Sequence, residues 1–168
     1  YYSHDTFVKI YDYVINNVDD KNIAHCFGLG DITERADVWD WVISGCPYAP
    51  DGEFTVVQEQ IKRMNGIVDY SLVRGNHETL PFFDKYFGTG EKASESGYSQ
   101  LVDEVYVHPD GFVDYSNTIH YFSAGELDYM VVTLDYGASD EILNWASKKI
   151  SDNPYKNVII TTHSYLTS

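Results

Sequence analysis

Apolar residues recur every three to four positions from 5 to 18. Phe7, Tyr11, Val14, Ile15 and Val18 mark one face of an amphipathic helix, with Asp5 as its predicted cap. The period then disappears. "NIAHCFGLGD", residues 22–31, is an apolar run closed by glycine and aspartate, which predicts a buried strand. Residues 32–52 are irregular, apart from a short segment around Trp39, Trp41 and Val42 with helical character. Helical spacing returns over 53–64 with Phe54, Val57, Ile61 and Met64, and Asn65-Gly66 stops it. "IVDYSLVRGNHE", residues 67–78, predicts a second strand and its exit loop, and the polar stretch 88–98 predicts an exposed loop. "TIHYFSAGELDYMVVTLDYG" predicts an antiparallel hairpin turning at Ala124-Gly125-Glu126. Ser139 is placed to cap a further helix. Asp140 and Glu141 lie in its first turn, Ile142, Leu143, Ala146 and Ile150 form its stripe, and Lys148 and Lys149 lie near its end. "NVIITTHSYL" predicts a last buried strand.

Helix and strand alternate in the first half, which suggests parallel βαβ pairing, and the hairpin suggests a second, mixed sheet. The expectation is one α/β domain over 1–168, with helices flanking sheets. Its length suffices for a real core, and 43% hydrophobic with 22% charged residues is an ordinary globular balance. Charge narrows the function classes. Asp and Glu outnumber Lys and Arg 26 to 11, a formal charge of −15, which argues against broad binding to duplex phosphates or to an anionic membrane. Such a chain can still handle a phosphate if cations sit in its site. Cys26 lies in an apolar run and reads as a buried free thiol, Cys46 lies in a loop, and one pair says little about redox compartment.

Three predicted strands end in polar clusters: Gly-Asp-Ile-Thr-Glu-Arg at 30–35, Gly-Asn-His-Glu at 75–78 and Thr-His-Ser at 162–164. Ligands of α/β sheets bind beyond the carboxyl ends of strands. Singly, Asp31 and Asn76 read as turn residues, and His77 and His163 as hydrogen-bonded structural histidines. Together, "GLGDITER", "VRGNHE" and "VIITTHSY" resemble, in order, three of the five blocks of the calcineurin-like metallophosphoesterase superfamily. The resemblance spans 23–164. It implies a four-layer α/β/β/α sandwich of two mixed sheets and hydrolysis of phosphomonoesters or phosphodiesters by a metal-bridging hydroxide. It also implies two divalent ions (Mn, Zn or Fe) in the intact protein. Asp31 then resembles the bridging carboxylate, Asn76 the amide-oxygen ligand, His163 an imidazole ligand of the same ion, and His77 the acid for the leaving group. Glu34 stands where many members carry an acid that orients this histidine. Arg35 and Arg74 match the arginine-bearing form of the pattern, in which either can hold phosphate oxygens. Read alone, Arg74 leans to a structural role, and Glu34 and Arg35 divide evenly between a surface ion pair and support of the site.

The first Asp-x-His/Gln block and the last Gly-His-x-His block are absent. The resemblance would place them before Tyr1 and after Ser168, so the fold is expected to be incomplete at both ends. One ion keeps Asp31, Asn76 and His163, the other only Asp31. The 168-residue chain is therefore expected to bind metal poorly and to hydrolyse little. The partner implied is a phosphorylated small-molecule or macromolecular substrate, with an extracellular or cell-surface setting favoured. The alternative is a non-catalytic binding module on the same fold. A serine hydrolase is disfavoured, since no Gly-x-Ser-x-Gly elbow occurs. Outside the matched blocks, His25 reads as a satisfied core or interface histidine, His108 and His120 as surface or strand residues, and Asp135 as structural. Trp39, Trp41 and Tyr48 read as the packing of an inserted helix or an aromatic wall for a substrate.

Overall fold

The computed structural model describes residues 4–34 and 50–164. Helix α1 (His4–Lys21) leads into β1 (His25–Gly28). Helix α2 (Pro50–Ile61) ends in a 3₁₀ turn, Lys62–Met64, before β2 (Asp69–Leu72), which pairs parallel with β1 in a two-stranded sheet. Helices α3 (Leu80–Phe87) and α4 (Ala93–Ser96), with a 3₁₀ turn at Tyr98–Gln100, precede the second sheet. That sheet has the order β3 (Glu104–Val107), β4 (Val113–Ala124), β5 (Leu127–Leu134), β6 (Asn157–Thr162), with helix α5 (Asp140–Ser151) between β5 and β6. Strands β3, β4 and β5 are antiparallel neighbours, and β6 runs parallel to β5. Among the described residues the architecture is mixed α/β with two open sheets. No described helix is long and apolar enough to cross a membrane.

Two apolar clusters hold these elements. The predicted stripe of α1 packs on Phe54, Val57, Ile61 and Met64 of α2 and its turn, and on Tyr70 and Leu72 of β2. Phe83, Tyr86 and Phe87 of α3 complete this cluster with Tyr98. The second cluster sets Ile142 and Ala146 of α5 against Tyr106, Ile119, Met130, Val132 and Leu134, one face of the four-stranded sheet. Side chains alternate along a strand, so His120 and Phe122 of β4 face the other way. They meet His25 of β1, with ring centroids at 5.8 Å and 4.9 Å. The two sheets therefore face each other at this point.

Several expectations change. The stretch 88–98 is no exposed loop: Ala93, Ser96 and Tyr98 are buried, and the Tyr98 hydroxyl accepts the Leu72 amide hydrogen at 3.1 Å. Among the described residues β6 is an edge strand of its sheet with Ile160 exposed, because burial of a strand depends on its neighbours. Ser139 holds the N-cap position of α5 but makes no side-chain cap bond, and Asp5 falls inside α1. The segment with Trp39 and Trp41, and also Cys46 and Tyr48, lies outside the described residues.

Candidate functional site

Strands β1, β2 and β6 each release their chain at the carboxyl end into a polar loop, and these three loops meet. After β1, Gly30 takes φ +92° and Asp31 φ +49°. The left-handed region is costly for a side-chain-bearing residue, though aspartate tolerates it, and such residues concentrate at functional sites. After β2, Gly75 passes under Asp31 so closely that a Cβ at this position would overlap Asp31 Oδ1 and the Asp31 amide. A Cβ at Gly30 would stand 2.5 Å from His163 Nδ1. Both glycines are therefore required by close approach between loops.

The approach is held by one carboxylate. Glu78 has no exposed surface. Its Oε2 accepts the amide hydrogens of Asp31 at 3.0 Å and Gly75 at 2.7 Å. Its Oε1 accepts from the amide of Thr33 at 2.8 Å and from the Thr33 hydroxyl at 3.0 Å. Arg74 donates from Nε and Nη2 to Asp135 at 2.6 and 2.8 Å, and from Nη1 to the Glu78 carbonyl at 2.6 Å. Asp135, just beyond β5, is itself fixed by its amide hydrogen, which Asn117 Oδ1 accepts at 2.9 Å.

His163 brings the third loop in. Its Nδ1–H donates to the Leu29 carbonyl at 2.8 Å. That bond leaves Nε2 as the other ring position, and Nε2 lies 3.2 Å from Asp31 Oδ2 and 3.1 Å from Asn76 Oδ1. A carboxylate oxygen, an amide oxygen and an imidazole nitrogen thus converge. An unprotonated Nε2 repels both oxygens at these distances unless a cation, either a proton on the ring or a metal ion, lies between them. Donors on one ion with bonds of about 2.1 Å stand roughly 3 Å apart when cis, and the two spacings at Nε2 match that separation. Among the described residues no group of three His, Cys, Asp or Glu side chains is placed to hold a metal. Asp31 and His163 contribute two such groups, and the third donor here is an amide.

His77 sits beside this set. Its amide hydrogen goes to Asp31 Oδ1 at 3.2 Å, and its Nδ1–H to the Glu34 carbonyl at 2.6 Å. The bond to that carbonyl raises its pKa above the ordinary value, the Asp31 carboxylate adds to this, and partial burial opposes it. The Glu34 carboxylate was expected to orient His77. The main-chain oxygen of Glu34 does so instead, while its side chain is exposed. Arg74 takes the structural place to which its own reading leaned rather than one at phosphate oxygens: three of its nitrogens meet protein acceptors. Arg35 lies outside the described residues. Glu78 had drawn no role. The signal for it was an acid placed directly between a Gly-Asn-His turn and an apolar helix. Asp135 is structural as expected. His120 is a buried strand residue, and half-buried His108 donates from Nε2 to Asp114 at 3.1 Å.

No protein family matches the chain. It is similar to a curated protein of Bacillus subtilis (strain 168), Uncharacterized protein YvnB, with 24% identity over 167 residues. The match takes in 95% of this chain and 11% of the length of that relative.

Proposed function

We propose that this chain carries part of the active site of a metal-dependent phosphoesterase of the calcineurin-like type, acting on phosphomonoesters or phosphodiesters. One observation carries the proposal: loops after β1, β2 and β6 bring Asp31 Oδ2 and Asn76 Oδ1 to 3.2 and 3.1 Å from Nε2 of His163. The layering supports this reading, with two sheets packed between helices. Helix α5 covers one sheet, helices α1 to α3 cover the other, and the sheets meet at His25 and His120.

In this proposal Asp31, Asn76 and His163 hold a divalent ion, and the Leu29 carbonyl keeps the ligating nitrogen of His163 free of its proton. When bound, divalent ions of this kind acidify a water and neutralise phosphoryl oxygens. Asn76 contributes an oxygen without adding negative charge. His77 gives a proton to the departing ester oxygen as water oxygen bonds to phosphorus. The Glu34 carbonyl, and the Asp31 carboxylate after it, favour the protonated ring of His77 that this step needs. Arg74 and Asp135 fix the loop rather than the phosphate.

The test is turnover of para-nitrophenyl phosphate by the full-length protein with added manganese. We expect His77→Ala to lower kcat by about 10²–10⁴-fold and Asp31→Asn to abolish manganese dependence. Manganese binding without any turnover would favour the binding-module alternative. No difference in manganese affinity between the parent protein and Asp31→Asn would remove the metal site altogether.

A further inference from the structure

Resting on the metal-site proposal, the geometry points to Glu78 as the positioning residue that holds the Asp31 loop and the Asn76 loop in one register. Its carboxylate spans the two chain segments. Oε2 takes one amide from each loop, Asp31 and Gly75. Oε1 takes both donors of Thr33, two residues beyond Asp31. Four donors meet two oxygens, and an ionised carboxylate offers about four acceptor positions and no donor. The side chain is fully buried, so no water substitutes for a lost partner.

The consequence is specific. Asp31 needs its left-handed backbone to aim its carboxylate, and Glu78 binds the amide of that very residue. Asn76 follows Gly75, whose amide Glu78 also binds. A glutamine at 78 keeps the shape but turns one oxygen into a donor. That donor then faces either the Asp31 and Gly75 amides or the two Thr33 donors. One loop must retreat, and two of the three proposed metal ligands separate. Glu78 itself touches neither ion nor substrate in this account.

The test compares the full-length parent with Glu78→Gln, using manganese titration and amide hydrogen exchange. Expected is a loss of manganese affinity of at least tenfold. Exchange should be at least tenfold faster at the Asp31, Thr33 and Gly75 amides, while β4 and β5 keep their protection. Unchanged affinity, or exchange that rises evenly through the protein, overturns the inference. If Glu78→Gln does not fold, Thr33→Val removes only the hydroxyl donor. It should cost two- to fivefold in manganese affinity, and no change there overturns the inference as well. Should the parent bind manganese no better than Asp31→Asn, the metal proposal fails by itself. Selective loosening of the three amides in Glu78→Gln then still supports the coupling of the loops, and its absence overturns it.

Discussion

Glu78 and His25 are buried polar side chains at opposite ends of the β1–β2 pair, with opposite surroundings. Glu78, beyond the carboxyl end of β2, has four hydrogen-bond donors on its two oxygens. His25, at the start of β1, has both ring nitrogens buried without a partner. It was expected to be satisfied, and instead it is packed between rings. Phe27 and Phe122 lie at 4.9 Å and His120 at 5.8 Å. Burying a charge is tolerable only when its partners are complete, whereas an unpartnered neutral imidazole costs about 1–3 kcal/mol, which packing against rings can offset. The site end is therefore stiff and interdependent. The opposite end carries a polar group whose removal costs little.

The largest effect should come from breaking the site end at Arg74. Its ion pair with Asp135 is bidentate, with side chains 14% and 12% exposed. Arg74→Met leaves Asp135 buried without its cation and frees the Glu78 carbonyl. A buried pair broken on one side costs about 3–5 kcal/mol. For a domain of this size that is a fall in Tm of roughly 10 °C, readable by thermal circular dichroism. A loss below about 1 kcal/mol would show that the pair behaves as a surface contact, and the contrast between the two ends would lapse.

The elements that local pattern decides were legible. Helix α1 runs over His4–Lys21 around the expected 5–18, the hairpin turns at Gly125–Glu126, and α5 begins after Ser139. Helix α3 went unassigned although Phe83, Tyr86 and Phe87 have helical spacing, because eight residues give the period little room. The burial of Tyr98 was invisible because its partners, Leu72 and His120, are more than twenty residues away. Within the site, the three strand ends could be picked out from residue type. Which atom does the work could not. His77 takes a carbonyl of Glu34 rather than its carboxylate, and Arg74 meets Asp135 across 61 positions. Both outcomes depend on how the loops cross after folding.

A smaller effect, and one of the opposite sign, is expected at His25. Burial, with His120 nearby, lowers its pKa to about 4. The unfolded chain titrates near 6.5. Below that value the unfolded state takes up a proton that the folded state refuses. The contribution of His25 to stability is therefore complete above about pH 7 and declines as pH falls from 6.5 towards 4. His25→Leu removes the proton and the two orphan nitrogens. At pH 7.5 the variant should match the parent or exceed it by about 1 kcal/mol. Between pH 6.5 and 4.5 its Tm should fall less steeply, by about 2–4 °C per pH unit. A variant with the parent's pH slope would show that the folded state does accept the proton at this position.

The smallest effect calibrates the other two. Lys148 Nζ of α5 lies 2.8 Å from Oδ2 of Asp152, the C-cap residue of that helix, as close as the Arg74–Asp135 contacts, but its side chain is 74% exposed and that of Asp152 54%. Water solvates both charges when the pair opens, and holding two flexible side chains together costs entropy. The pair is therefore worth about 0.3–0.5 kcal/mol. Lys148 also lies in the last turn of the helix, where a cation meets the negative end of the backbone dipole and gains a few tenths of a kcal/mol more. Lys148→Ala should shift the urea midpoint by an amount barely above error, and 0.5 M salt should remove the shift by screening. A destabilisation approaching that of Arg74→Met would mean that distance alone sets the strength of an ion pair in this protein. The distinction between a saturated buried network and an exposed contact would then have no energetic content.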